Sequence, residues 1–202
     1  MKKLLLAVAL LFTLTGCLPV TQNPLSSPET ATADSRLFGV WYGKSGEDEI
    51  FLHFVPGSSA EMEVVEVDHE KKGAAHTTLY TVFPSVLGEQ HYLNIREGKG
   101  KPYHLAHYQI VNGTLKIELM SDKSLVKAIK AGKLKGDIAE TTGSDDRTIT
   151  ITDTSEHLAA FVKKSNPENL FDQKFGSFKK ITLPRLSEDS KPTSSSKRKK
   201  KK

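Results

Sequence analysis

From residue 36 onward, apolar and polar side chains alternate along a series of short runs, the period of a strand with one buried face. Residues 49–55 put Ile50, Leu52 and Phe54 on one side and Phe51, His53 and Val55 on the other. Residues 77–83 set Thr77, Leu79, Thr81 and Phe83 against Thr78, Tyr80 and Val82, and runs at 62–67, 91–96, 104–111 and 114–120 extend the series. Asn112 and Gly113 separate the last two runs. Both residues accept the positive φ of a type I′ turn, so this pair predicts a hairpin. Turn chemistry recurs at residues 56–58, 72–73, 84–88 and 98–102.

After Met120 the period changes. Ser121 can cap a helix running to Lys130, with Leu125, Val126 and Ile129 on one side and Gly132 as its stop. A polar loop is expected over 133–147 and a short β run over 148–152. Asp153, with Glu156 three residues on, has the spacing of a capping box and opens a second helix. Leu158, Phe161 and Val162 form its apolar stripe, Asn166 and Pro167 end it, and 175–183 supplies a final strand. The expected fold is mainly β: a small antiparallel barrel or sandwich of about seven to eight strands with two attached helices.

The two ends of the chain follow different rules. Lys2 and Lys3 precede an uncharged run over 4–14, then small residues up to Cys17, the single cysteine. This is the layout of a secretory signal peptide, and the run is shorter than the roughly 20 residues a membrane span needs. Leu14, Thr15, Gly16 and Cys17 resemble the lipobox of bacterial lipoproteins, with Thr15 a tolerated variant. The resemblance implies cleavage between Gly16 and Cys17, lipid on the Cys17 sulfur and, in many bacteria, acylation of the new amino terminus. Two or three acyl chains hold a protein on a membrane where one does not. Leu18 and Pro19 follow the cysteine; without an Asp there, the segment resembles the class sorted to the outer membrane of a Gram-negative host, facing the periplasm.

Charge is concentrated at these ends. The chain has 29 basic and 24 acidic residues, formally +5. Setting aside two signal-peptide lysines, and seven basic and two acidic residues beyond Leu186, leaves 20 basic against 22 acidic, formally −2. A near-neutral body argues against a nucleic-acid partner. Residues 187–202 lack any large apolar side chain and end in Lys197, Arg198, Lys199, Lys200, Lys201 and Lys202. Composition and self-repulsion predict a disordered tail. It is a solvated solubility tail or a contact for anionic lipid, lipopolysaccharide or an acidic cell-wall polymer. Residues 18–35, rich in Pro, Thr, Ser, Asn and Ala, are expected to form a flexible tether with a reach of roughly 20–25 Å. The expected organisation is therefore signal peptide 1–16, tether 17–35, one β-rich domain 36–186 and tail 187–202.

Gly39, Val40 and Trp41 resemble the Gly-x-Trp of lipocalins. In that family the Trp closes the barrel bottom and the barrel holds a small hydrophobic ligand. The helix after Met120 departs from that family's pattern of eight strands before a helix. Seven histidines raise the question of a metal, but His104 and His107 fall on opposite faces of one strand. His69 lies beside Asp68 and Glu70 in an expected loop, and with the cysteine carrying lipid no metal site is expected. Glu47, Asp48 and Glu49, like Asp145 and Asp146, are expected to cover turns rather than bind calcium. No Gly-x-Ser-x-Gly elbow, P-loop or His-Glu-x-x-His motif is present, and neither catalysis nor a cofactor is expected. The leading expectation is a membrane-anchored envelope lipoprotein acting as a binding or structural module. A lipocalin-like carrier of a small apolar ligand is the alternative. An envelope enzyme is the third reading, and it requires a nucleophile gathered with His53, His91, His104 or His107.

Overall fold

The computed structural model describes residues 18–45, 47–58, 60–69, 73, 75–140 and 147–182. The lipobox through Cys17, Glu70, Lys72, Asp145, Asp146 and the tail ending Lys197 to Lys202 lie outside the described residues. In chain order the strands are β1 (Val20–Thr21), β2 (Gly39–Ser45), β3 (Asp48–Pro56), β4 (Met62–His69), β5 (Ala75–Leu87), β6 (Gln90–Arg96), β7 (His104–Val111), β8 (Thr114–Leu119), β9 (Gly136–Glu140), β10 (Arg147–Ile151) and β11 (Gln173–Lys180). Helices α1 (Asp122–Lys130), α2 (Ser155–Lys164) and the single turn α3 (Pro167–Leu170) lie between β8 and β11.

The fold is mainly β, as expected: β2 to β8 pair antiparallel in sequence order, and β11 closes an eight-stranded barrel between β8 and β2. Closure removes the edges that an open sheet would expose. It depends on Gly43, opposite Phe178, where an added Cβ would come within 2.6 Å of the Phe178 ring and 2.7 Å of the Ser177 carbonyl. A register shift between Lys174 and Gly176 lets Phe175 and Phe178 pack together inside, their rings 5.7 Å apart. The expected hairpin is present, with Asn112 and Gly113 both at positive φ.

Alternation in β3 is clean because only one of its faces is covered: Ile50, Leu52 and Phe54 point into the barrel, while His53 is exposed. Along β6 and β7 both faces are covered, and buried residues run consecutively. Their outer face, through Tyr92 and Leu105, packs against Leu125, Leu158, Val162 and Phe171 in a second core. That core lies under α1, α2 and a small sheet of order β1-β10-β9.

Four local expectations are corrected. The loop expected over 133–147 contains β9, whose Ile138 pairs with Ile149 of β10; only its alternate positions are covered, so it lacks an apolar run. The turn expected from Pro84 moves to Gly88 and Glu89, because β5 runs on to Leu87. Beyond Val82 only β6 pairs with β5, and a proline is tolerated at such an edge. The cap of α2 is Thr154, whose Oγ1 accepts from the His157 amide, one residue after the expected Asp153.

The fourth correction is the tether. Residues 18–35 are strapped to the barrel instead of hanging free. β1 pairs in parallel with β10, and Thr21 exchanges backbone hydrogen bonds of 2.8 Å with Tyr103. The Leu25 amide donates to Oδ1 of Asn94 at 2.7 Å, and Leu25 joins the second core. Composition suggested disorder because the attachment is made by backbone groups, short polar side chains and few apolar ones, with little apolar surface of its own.

Candidate functional site

The two ends of the barrel are built differently. At one end β2 begins and β11 finishes, and Trp41 is buried between them, with Lys180 opposite it in register. The Trp41 Nε1–H donates to the Leu37 carbonyl at 2.6 Å, and the Lys180 ammonium lies 5.2 Å from the indole ring centre. Tyr108 donates its hydroxyl to Asp34 at 2.9 Å, and Arg36 pairs with the same carboxylate at 2.7 Å. Burial would raise the Asp34 pKa, but the hydrogen bonds from Arg36 and Tyr108 outweigh it and hold the group below its ordinary value. Leu37, Trp41, Tyr108 and Phe178 fill this end.

Toward the other end the packing opens. A cavity of about 100 Å³ is lined by apolar side chains of six barrel strands, among them Leu52, Val64, Val82, Leu93 and Ile117. Leu18, Glu66, Tyr80 and His104 bring it to the surface. Leu18 is 41% exposed although it lines the cavity. The next residue, Pro19, is held by its carbonyl 3.1 Å from His104 Nδ1.

Glu66 breaks the inward series of β4, where Met62 and Val64 precede it on the same face and Asp68 follows. Burial and then the charge of Asp68 raise the Glu66 pKa against a hydrogen bond from Tyr80. Burial and the Glu66 charge push the Tyr80 hydroxyl up to about 12. Oδ1 of Asp68 is buried with no hydrogen-bond partner. The mouth is thus a small acidic site on an apolar cavity.

The histidines expected as possible ligands or bases are dispersed. His53 is on the outer face of β3. His91 stacks beside Tyr108 near the closed end, their rings 5.5 Å apart. His104 lines the cavity. His107 is buried on the outer wall between Tyr92 and Phe171, with Nε2 2.9 Å from Gln90. His104 and His107 therefore stand on opposite faces, as their spacing requires. His69 packs edge-on to Phe51 at the end of β4, a strand position where a loop was expected. Among the described residues no three His, Cys, Asp or Glu side chains form a metal-sized group. Asp48 and Glu49, expected at a turn, open β3, where Glu49 accepts from Tyr42 at 2.8 Å and pairs with Lys44.

Leu18, Glu66 and Tyr80 were not singled out as site residues by sequence reasoning. A signal existed for Glu66, a carboxylate at an inward position of an otherwise apolar alternation. None existed for Leu18, which was assigned to the tether. Cys17, expected to carry lipid, Gly16, expected to precede the cleavage point, and the six basic residues of the tail lie outside the described residues. Compared with known proteins, the chain matches no family model, no curated protein and no solved structure.

Proposed function

We propose that this is a membrane-anchored envelope lipoprotein whose barrel binds the apolar end of a small ligand, with its open mouth turned toward the anchoring membrane. The observation that carries the reading is the position of Leu18, on the rim of the apolar cavity and next in sequence to Cys17. Consecutive Cα atoms are about 3.8 Å apart, so an anchor on Cys17 starts at the mouth and not a tether's length away. A ligand already partitioned into the bilayer reaches such a cavity without crossing bulk water. The plugged end at Trp41 and the cavity beyond it agree with what the Gly39, Val40, Trp41 resemblance implies.

Size restricts the ligand. A dry apolar cavity of about 150 Å³ holds benzene, and drug-sized ligands take roughly 300 Å³ or more. The cavity here accepts the end of an alkyl chain, with the remainder emerging past Leu18. Each buried methylene contributes about 0.8 kcal/mol, so three or four give about 3 kcal/mol. That alone is weaker than millimolar binding, which corresponds to about 4 kcal/mol. The mouth must supply the rest. Dispersal of the four histidines supports a binding role over catalysis.

A chemical-shift titration with 1-octanol tests the reading. Amide signals of Leu52, Val82 and Ile117 should shift saturably. Val82→Phe, which fills the cavity with a ring, should abolish the shifts while the rest of the spectrum stays folded. Shifts scattered over the surface, or unchanged in Val82→Phe, would contradict it.

A further inference from the structure

The reading above leaves open what head group the ligand carries, and this inference rests on that reading. Four features of the mouth bear on it. Glu66 is the one carboxylate lining the cavity, and no Lys or Arg lines it among the described residues. Asp68 lies two residues on along β4, on the same face, and its Oδ1 is buried without a hydrogen-bond partner. Tyr80, from the neighbouring strand, lines the cavity beside Glu66, and its hydroxyl favours the ionised carboxyl against the effect of burial. The remaining polar group on the rim, His104, is engaged through Nδ1 by the Pro19 carbonyl.

Glu66 stands at the entrance to an apolar cavity with Asp68 following it on the same face of β4, and no Lys or Arg side chain lines that cavity among the described residues. Burial and the Asp68 charge raise the cost of ionising Glu66. A cation placed beside Glu66 offsets that cost. An anion placed there meets two like charges in a poorly solvated site. The cavity behind them is too small and too apolar to take the cation itself, so the same molecule has to offer a chain to the wall and a positive group to the rim.

We infer that the barrel mouth selects cationic amphiphiles, with an alkyl chain in the apolar cavity and a protonated amine against Glu66. The neutral alcohol and the carboxylate of the same chain length share the apolar contribution and differ at the rim alone. A compact ammonium with three donors suits a rim that offers the Glu66 carboxylate. Leu18 sets the boundary between the two parts, because it touches the cavity on one side and solvent on the other.

Octylamine, 1-octanol and octanoate, titrated calorimetrically into the folded protein at pH 7 and low salt, test the inference. Octylamine should bind at least ten-fold more tightly than octanol, and octanoate more weakly than octanol. In Glu66→Gln the amine's advantage over octanol should fall several-fold while octanol binding stays the same or strengthens. The Tyr80→Phe variant, which keeps both carboxyls, should retain a preference for the amine. Equal binding of the three ligands, or an amine preference unchanged in Glu66→Gln, would overturn the head-group inference and leave the apolar cavity standing. No binding of any of the three would overturn the cavity reading itself.

Discussion

Glu66 occupies a position where the alternation of its strand asks for an apolar side chain, and its chemistry follows from that placement. Burial and the Asp68 charge hold its carboxyl above the ordinary value. A carboxyl whose folded pKa is raised contributes stability that is complete below the unfolded pKa and is lost as pH rises through the folded value. Glu66→Gln keeps an acceptor for Tyr80 and removes the charge. It should therefore raise the melting temperature at pH 7 by about 2–4 °C for each kcal/mol relieved, and change it little at pH 4. Thermal unfolding at the two pH values measures this; an equal effect at both would show that the charge is not the cause. Asp34 has the opposite sign. Its depressed pKa supplies stability above the ordinary carboxyl range that is lost as pH falls through the folded value. Alternation placed the inward residues of β3 correctly, but Asp34 was hidden in a segment with no periodicity. Its partners Arg36 and Tyr108 are joined by folding, and Tyr108 is far away in sequence.

Among the elements, the strap over residues 18–35 changes the picture most. Its stability rests on β6, where Asn94 is fully buried on the outer face of the barrel. The Asn94 amide accepts from Leu25, donates to the Phe83 carbonyl at 3.2 Å and donates to Ser85 at 2.8 Å. Ser85 in turn meets Ser26 at 2.6 Å. Leaving buried donors and acceptors unpaired costs about 1–3 kcal/mol. Asn94→Ala should accordingly speed hydrogen exchange at the Leu25 amide by ten-fold or more, with amides of β3 and β4 much less affected. Uniform acceleration across the barrel would mean that Asn94 supports the whole fold and not the strap. Helices α1 and α2 were legible because Ser121, Gly132 and the apolar stripe at Leu158, Phe161 and Val162 act locally. The strap and β9 were not, because their partners are distant and their own composition is polar.

At the scale of the whole molecule, a closed barrel is plugged by Trp41 at one end and carries an apolar cavity toward the other. A second core of helices and a small sheet covers the outer wall formed by β6 and β7. Among the described residues no helix is long and apolar enough to cross a membrane. The expected tether would have left the barrel free to tumble at some distance from the bilayer. With the strap fixed, Leu18 stands at the mouth, and under the proposed lipidation of Cys17 the orientation of the barrel follows from the attachment point. An antiparallel barrel or sandwich was visible in the alternating runs and the Asn112, Gly113 turn; closure into a barrel was not. The order of the ring was not, because β11 returns to β2 and β8 only after the whole excursion through α1, β9, β10, α2 and α3. The measurement to make is the intact mass of the protein extracted from its native membranes, beside a Cys17→Ser variant fractionated in the same way. A chain beginning at Cys17 with two or three acyl chains, together with a variant released from the membrane, is the predicted result. An unlipidated wild type recovered in the soluble fraction would contradict the account, and with it the placement of the barrel mouth at the bilayer.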